Sequence, residues 1–91
     1  MLKVIKHKKF IKSIKKYRHN KPVLIELEKV MLLLLTEKAI PAKYRDHELK
    51  GKLKGIRELH LKPDALLLYF KLDRESVTLL DIGNHANMLR M

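Results

Sequence analysis

The 91-residue sequence has no cysteine and no tryptophan, and it has few glycines and prolines. Without cysteine, neither a disulfide framework nor a thiolate metal site can form, which fits a reducing cytoplasm. The apolar run from Val30 to Leu35 is far shorter than the roughly 18 residues that a membrane span needs. The lysine-rich N-terminus lacks the apolar stretch of a secretion signal. We therefore expect a single cytoplasmic domain over residues 1–91 that does not enter a membrane.

Acidic residues are also scarce, because 21 Lys and Arg face only 10 Asp and Glu, for a net charge of +11. Within residues 1–21 there is no acidic residue at all. So large an imbalance on a small domain predicts a polyanionic partner, which is nucleic acid, an acidic protein or an anionic membrane surface. We favour nucleic acid. The membrane is the weakest alternative, because the apolar side of the predicted N-terminal helix is narrow and lacks tryptophan.

The first half of the chain has the pattern of a short strand and two helices. Residues 1–6 are β-branched enough for a strand, and residues 7–18 carry apolar side chains at helical spacing. Asn20 is placed to cap a second helix with Pro22 in its first turn, and this helix should end near Glu37. Its apolar residues extend beyond one face, which predicts either burial on two sides or an exposed patch for a partner.

The second half has the pattern of a loop followed by three strands. Residues 39–55 read as a long loop, and such a loop in a compact domain is usually functional. The predicted strands cover 56–62, 65–72 and 77–82, with Gly83 ending the last. Helices followed by strands indicate an α+β fold. We expect an N-terminal strand and two helices packed on one face of a small antiparallel sheet, with functional residues on the other face.

Several motifs resemble YafQ-type toxins of the RelE/ParE superfamily, which belong to bacterial type II toxin–antitoxin modules. The motifs are Tyr44-x-Asp46-His47-x-Leu49-x-Gly51, Gly55-Ile56-Arg57-Glu58-Leu59-His60-x-x-Pro63-Asp64, Leu67-x-Tyr69 and Gly83-Asn84-His85-Ala86. The resemblance covers the whole chain and implies a RelE/ParE-like fold. It also implies a ribosome-dependent endoribonuclease that cuts mRNA and is neutralised by a cognate antitoxin. The implied partners are therefore the antitoxin, mRNA and the ribosome with its rRNA.

The same resemblance assigns catalytic roles to four residues, namely His47, His60, Asp64 and His85. The sequence departs from the family at two positions where an aromatic residue is common, since Ala65 follows the aspartate and Leu89 lies four residues beyond the last histidine. Both departures concern the stacking or positioning of a base, and they bear on substrate preference and on the level of activity.

Metal-free cleavage of RNA supports these roles on chemical grounds. A base must take the proton of the 2′-hydroxyl, an acid must protonate the leaving 5′-oxygen, and a cation must stabilise the charged phosphorane. Histidine suits both proton transfers because its pKa lies near neutrality. His60 falls on the polar face of its predicted strand, and Asp64 follows at the turn, where it is placed to act as a base or to orient a histidine.

Cations near these residues are candidates for holding RNA. We expect Lys50, Lys52 and Lys54, which lie around two glycines, to bind backbone phosphates. Arg57 is the natural candidate for a phosphate ligand, because its guanidinium suits phosphate oxygens. Strict alternation places Arg57 on the apolar face with Leu59, so this role requires a bulge or a strand end.

Other interpretations of the same residues stay open. His7 and His19 are expected to be solvated, Tyr69 is either core or a stacking platform, and Glu58 is either catalytic or part of a cross-strand ion pair. No histidine pair has the helical spacing of a zinc motif, so we expect no metal or other cofactor. The alternatives to a nuclease are a non-nucleolytic ParE-like toxin, which needs no histidine constellation, and a basic module that only binds RNA or the ribosome.

Overall fold

The structure, a computed structural model, describes the backbone of residues 1–88 and the side chains of residues 1–86. The predicted departure at Leu89 lies outside the described residues. Five strands and three helices occur in the order β1 (Lys3–Lys6), α1 (Lys8–Ile14), α2 (Lys21–Leu35), β2 (His47–Glu48), β3 (Arg57–Lys62), β4 (Ala65–Phe70), β5 (Ser76–Gly83) and α3 (His85–Met88). Short 3-10 turns cover Lys15–Tyr17, Ala42–Tyr44 and Gly51–Leu53.

Both long helices begin at capping side chains. The amide of Lys9 donates to His7 Nδ1 at 3.1 Å, and the amide of Val23 donates to Asn20 Oδ1 at 3.2 Å. The predicted cap of α2 is therefore confirmed, with proline in its first turn. The helix ends at Leu35, slightly before the predicted position. The hydroxyl of Thr36, which follows, donates to the carbonyl oxygen of Leu32 at 2.7 Å.

The strands form one sheet in the order β1-β5-β4-β3-β2. Neighbouring strands from β5 to β2 are antiparallel, but β1 runs parallel to β5, with Lys3 opposite Ser76. The predicted α+β class is confirmed, but the sheet is mixed, because β1 joins it in parallel where an antiparallel sheet was predicted. A parallel pair requires a long connection, which α1, α2 and the following strands provide. Residue alternation carries no information on strand direction, so the sequence could not show this.

The helix-covered face of the sheet holds the main core. Phe10, Val23 and Val30 from the helices are buried against Leu59 and Leu67 from the strands. This arrangement confirms the predicted packing of both helices on one face. The broad apolar surface of α2 is divided, because other side chains of this helix remain exposed. None of the helices within residues 1–88 is long and apolar enough to cross a membrane.

The opposite face of the sheet holds a smaller apolar cluster. Leu66 and Leu68 of β4 are buried there, with Leu49, Ile56 and Leu80 packed around them. The segment 39–55, predicted as a loop, contains two 3-10 turns and β2 and contributes Leu49 to this face. The prediction missed β2 because a strand of two polar residues has no apolar alternation. Burial of β4 on both faces was predicted correctly.

Candidate active site

His47 and Glu58 face each other across β2 and β3 on the face opposite the helices. The two residues are directly paired in the ladder, and His47 Nε2 lies 3.6 Å from Glu58 Oε1. The other ring nitrogen, Nδ1, lies 2.7 Å from the carbonyl oxygen of Arg45. A carbonyl oxygen only accepts hydrogen bonds, so Nδ1 carries the proton and donates it. In neutral His47 the bare Nε2 therefore points towards the carboxylate.

His60 lies two residues beyond Glu58 along β3 and shares its face. Its Nε2 is 4.0 Å from the same Glu58 oxygen, and its side chain is 14% exposed. The ring of His85, the first residue of α3, lies 5.5 Å from the His60 ring between centroids, at an interplanar angle of 56°. The turn after β5 thus returns the chain to β3, where His47 and His60 flank one carboxylate and His85 lies beside His60. We call His47, Glu58, His60 and His85 the histidine cluster.

Burial is the main cause that lowers the pKa of His60 below its usual value. The Glu58 carboxylate opposes this shift, whereas the charges of His85, Arg45 and His47 add to it. The balance keeps His60 neutral at neutral pH. A neutral imidazole at the centre of the cluster is able to accept a proton.

A cavity of about 320 Å³ opens beside His60 and His85. Three cationic residues contribute to its lining, namely Lys43, Arg45 and Lys62. Glu26 of α2 lines it too, and the hydroxyl of Tyr44 donates to Glu26 Oε1 at 2.6 Å. The cavity therefore combines proton-transfer groups with positive charge, which suits a phosphodiester.

Asp64 lies exposed in the turn between β3 and β4 and does not line the cavity. Its charge acts on Tyr17, whose pKa is raised first by burial and then by Asp64 and Asp81. Asp64 therefore lies outside the cavity lining, whereas Pro63 of the same turn contributes to it. A catalytic role for Asp64 stays a prediction.

Arg57 occupies the first position of β3, which is the strand end that its predicted role required. Its side chain lies on the helix-covered side, where Nε and an Nη atom donate to the two carboxylate oxygens of Asp46 at 3.2 and 3.1 Å. The hydroxyl of Tyr69 donates to the same carboxylate at 2.5 Å. Arg57 is therefore paired within the protein. Tyr69 is buried in the main core, as one of its two interpretations proposed.

The predicted phosphate ligands Lys50, Lys52 and Lys54 are exposed on the segment that follows β2. Gly51 and Gly55 adopt φ angles of 71° and 96°, the left-handed region that glycine tolerates best. The amide of Leu49 donates to the carbonyl of Ile56 at 2.8 Å and closes this segment. These lysines lie outside the cavity lining, so any contact with RNA would occur beyond the cavity itself.

Comparison with known proteins identifies the family. Residues 2–90 match the family described as bacterial toxin of type II toxin–antitoxin system, YafQ. The chain belongs to the YafQ family. The mRNA interferase toxin YafQ of Escherichia coli K12 is 39% identical over 62 residues, which span 67% of this chain and 66% of that protein. The protein of the same name from E. coli strain B is 33% identical over 78 residues, 85% of this chain and 84% of that one.

Solved structures of YafQ-like toxins share the whole fold. A metal-bound toxin from Helicobacter pylori is 43% identical, with a TM-score of 0.85 over 97% of this chain and 99% of that one. The E. coli DinJ–YafQ complex matches with a TM-score of 0.82 and 29% identity, over 97% of this chain and 98% of that one. The mixed sheet and the placement of both helices on one face agree with these YafQ relatives.

Three of the four residues predicted from the YafQ motifs to be catalytic, His47, His60 and His85, lie together in the structure. The motifs did not indicate several residues that surround them. Glu58 was left open between two roles, and Lys43, Arg45, Lys62 and Glu26 were not singled out. The position of Lys43 and Arg45 on either side of the motif residue Tyr44 was the available signal for these two cations. Within residues 1–88, no group of three or more histidines and carboxylates is arranged to hold a metal ion.

Proposed function

We propose that this YafQ-family chain is a toxin endoribonuclease that cuts mRNA during translation by histidine acid–base catalysis, without a metal. The observation that carries the proposal is the histidine cluster, in which Glu58 Oε1 lies 3.6 and 4.0 Å from the Nε2 atoms of His47 and His60. The cluster adjoins a cationic cavity. The E. coli relatives named mRNA interferase toxin YafQ support the assignment to RNA cleavage.

His60 is the general base in this proposal. Its lowered pKa, caused chiefly by burial, keeps Nε2 or Nδ1 free to take the 2′-hydroxyl proton at neutral pH. The 2′-oxygen then attacks the adjacent phosphorus and forms the bond of a cyclic phosphate. Glu58 assists by holding His60 and by favouring the charged imidazole once the proton has been taken.

His85 is the general acid, since it lies across from His60 at the mouth of the same cavity. It donates a proton to the 5′-oxygen as the bond from phosphorus to this oxygen breaks. The ring-centroid distance of 5.5 Å leaves both imidazoles near one phosphodiester. His47 pairs with Glu58 from the other side when its Nε2 is protonated as well, because only the imidazolium presents a donor to this carboxylate.

Positive charge around the cavity stabilises the phosphorane. Lys43, Arg45 and Lys62 line the cavity with the two histidines, so they are placed to face the phosphate oxygens. The exposed cations of the segment after β2 then bind phosphates further along the strand. Arg57 is not assigned to phosphate, because its guanidinium is paired with Asp46.

Dependence on the ribosome is supported by the burial of two residues, Ala65 and Tyr69, on which an RNA base could otherwise have stacked. Ala65 is 3% exposed and Tyr69 is buried in the core, so neither offers a surface for a base. Stacking on an aromatic side chain contributes roughly 1–3 kcal/mol per base in dedicated binders of single strands. Because positioning of the reacting groups accounts for a large part of catalysis, a second macromolecule has to orient the mRNA. The ribosome holds mRNA in register and attracts a cationic protein to its RNA.

The test of this proposal compares one transcript with and without its start codon in cells that express the protein. We expect cleavage only of the translated version, at positions fixed relative to the reading frame. Purified protein and naked transcript serve as the control, and this mixture should remain intact at matched low concentration. Equal cleavage of both versions would contradict ribosome dependence. Growth arrest with every transcript intact would instead favour a non-nucleolytic ParE-like toxin or a module that only binds.

A cognate antitoxin is the proposed protein partner, as DinJ is the partner of YafQ in the E. coli complexes. The net charge of +11 favours an acidic segment, and Ile25 and Leu32 of α2 are exposed at 51% and 58%. An acidic, amphipathic or extended segment would cover both kinds of surface. Co-expression should yield a stable complex whose association slows as salt rises. Association that is insensitive to salt would contradict the electrostatic part.

A further inference from the structure

The short strand β2 carries His47 but has little backbone pairing of its own. It is an edge strand of two residues, and most strands are longer. Arg45, two residues before His47, adopts φ 51° and ψ 40°, a left-handed conformation that is strained for residues other than glycine. Such a conformation persists only when the surroundings hold it in place. Side chains must therefore fix this segment.

We infer that Asp46, Arg57 and Tyr69 form a clamp that positions His47 against Glu58, so that Arg57 acts through the protein and not on RNA phosphate. The Asp46 carboxylate receives both guanidinium donors of Arg57, at 3.2 and 3.1 Å, and the Tyr69 hydroxyl at 2.5 Å. Hydrogen bonds between charged groups in this forked geometry are strong and directional. This inference rests on the proposed function, because His47 matters only if the histidine cluster is catalytic.

Residue alternation links the clamp to the histidine cluster. Asp46 directly precedes His47, and Arg57 directly precedes Glu58. His47 pairs with Glu58 across β2 and β3, and Arg57 pairs with Tyr69 across β3 and β4. Successive side chains on a strand point to opposite faces. The clamp therefore lies on the helix-covered face and holds, from behind, the two residues that meet on the active face.

The clamp also fixes which nitrogen of His47 carries the proton. With Asp46 anchored, the left-handed conformation of Arg45 directs its carbonyl oxygen to His47 Nδ1 at 2.7 Å. On the other side of Arg45, Tyr44 is anchored by its hydrogen bond to Glu26. Arg45 is thus held between two anchors. The proton on Nδ1 leaves Nε2 facing Glu58, and the carboxylate then reaches His60.

The electrostatic environment of the clamp agrees with a permanent pairing. The hydrogen bond to Asp46 is the main cause that raises the pKa of Arg57. Burial and then Asp46 raise the pKa of Tyr69, so its hydroxyl keeps its proton and continues to donate. Asp46 is only 16% exposed in its side chain, whereas Arg57 is 39% exposed. The Asp46 carboxylate, which joins the three residues, is therefore better shielded from solvent than the Arg57 guanidinium.

The test uses Arg57→Gln and Tyr69→Phe, with nitrogen NMR of the histidine rings as the first readout. Tyr69→Phe removes one hydroxyl and retains the packed ring. We therefore expect it to fold even if Arg57→Gln does not. We expect His47 to hold its proton on Nδ1 in the wild type and to lose this preference in both variants. Cleavage of translated message should fall by roughly ten- to a hundredfold, the usual scale for losing an orienting partner. Lys71→Gln removes an exposed ion pair with Glu37 and is the matched control that should change neither quantity.

A second measurement separates positioning from direct contact with phosphate. Binding of a 20-nucleotide 2′-O-methyl RNA, which lacks the nucleophilic hydroxyl, should be unchanged in Arg57→Gln at every salt concentration. A lost phosphate contact would instead lower the affinity and reduce the salt slope by about one. That result, with His47 signals like those of the wild type, would overturn the inference. If the His47 signals change while His47→Ala cuts normally, the clamp stands and the catalytic role of His47 falls.

Discussion

The two faces of the sheet use the same strands for different purposes. On the helix-covered face, Leu59 and Leu67 are completely buried in an apolar core beneath α1 and α2. On the opposite face, Leu66 and Leu68 are buried equally well, but they lie beside the histidine cluster instead of a helix layer. The helix-covered face contains most of the apolar core that stabilises the fold. The opposite face carries groups able to transfer protons.

The difference arises from single-residue alternation along β3. Leu59 faces the core. Its immediate neighbours, Glu58 and His60, point to the opposite face of the sheet and belong to the histidine cluster. A rigid apolar layer directly behind a polar site limits how far the site can move. The core therefore positions the histidine cluster as well as stabilising the fold.

Removing either central histidine should have the largest effect on cleavage. We expect His60→Ala and His85→Ala each to lower the rate by roughly a hundredfold or more, the usual scale for positioned proton transfer. The double variant should lose far less than the product of the two effects, because catalytic groups act as a unit. Cleavage of a translated reporter message, quantified per folded protein, provides the measurement.

His7 and His19 supply matched controls for these substitutions. His7 caps α1 and His19 is exposed, and both lie outside the histidine cluster. Their alanine variants should cut at the wild-type rate. The nuclease proposal would fall if both His60→Ala and His85→Ala retained full cleavage and growth arrest.

Leu66 and Leu67 provide a direct comparison between the faces, since they are adjacent, identical and both 0% exposed. Substitution of either by alanine should destabilise the fold by about 2–5 kcal/mol through lost burial and a cavity. Only Leu66 is the cross-strand partner of His60. We therefore expect Leu66→Ala, and not Leu67→Ala, to reduce cleavage per folded molecule. Denaturant unfolding and reporter cleavage measure the two quantities, and equal cleavage losses would refute the division of labour.

Glu58→Gln should change the titration of His60 more than the stability of the fold. The Glu58 carboxylate raises the pKa of His60 against the larger lowering by burial, so its removal should lower that pKa further. In the wild type the NMR midpoint of His60 should lie below 6.5, and in the variant it should lie lower still. The stability that neutral His60 contributes is present above pH 6.5 and is lost as pH falls through its lowered pKa. A midpoint that rises in Glu58→Gln would contradict the geometry.

The smallest effect is expected from a single exposed lysine of the segment after β2. Lys52→Gln should weaken binding of RNA modestly and reduce the slope of log affinity against log salt by about one, because one phosphate contact is lost. Lys71→Gln, which removes a cation paired with Glu37, is the control. Identical slopes for wild type and Lys52→Gln would remove Lys52 from the RNA-binding surface.

Much of the assignment of residues to the two faces of the sheet could be predicted from the sequence. Alternation in 56–62 placed Leu59 with the core and His60 on the polar face, and the apolar run of β4 predicted burial on both sides. The capping residue of α2 was likewise visible. These features depend on local periodicity and capping chemistry, which the sequence expresses directly.

Other features depended on contacts between distant segments and could not be predicted. The parallel pairing of β1 with β5 and the strand β2 leave no local pattern. Arg57 was predicted to bind phosphate because nothing local indicates that Asp46, 11 residues earlier, pairs with it. Asp64, grouped with the histidines by resemblance, is exposed in the turn after β3, and its charge contributes to raising the pKa of Tyr17. Contacts between segments distant in sequence, through the backbone for the strands and through side chains for Arg57, decide these features.

The chemical nature of the cut ends tests the central claim most directly. Fragments of a translated reporter message would be recovered from cells expressing the protein, and their termini at the cleavage site would be determined. Catalysis by His60 and His85 uses the 2′-hydroxyl of the RNA as the nucleophile, so the upstream fragment should end in a 2′,3′-cyclic phosphate and the downstream fragment should begin with a 5′-hydroxyl. A 3′-hydroxyl paired with a 5′-phosphate would show that water attacks instead, and it would contradict the assignment of the histidine cluster.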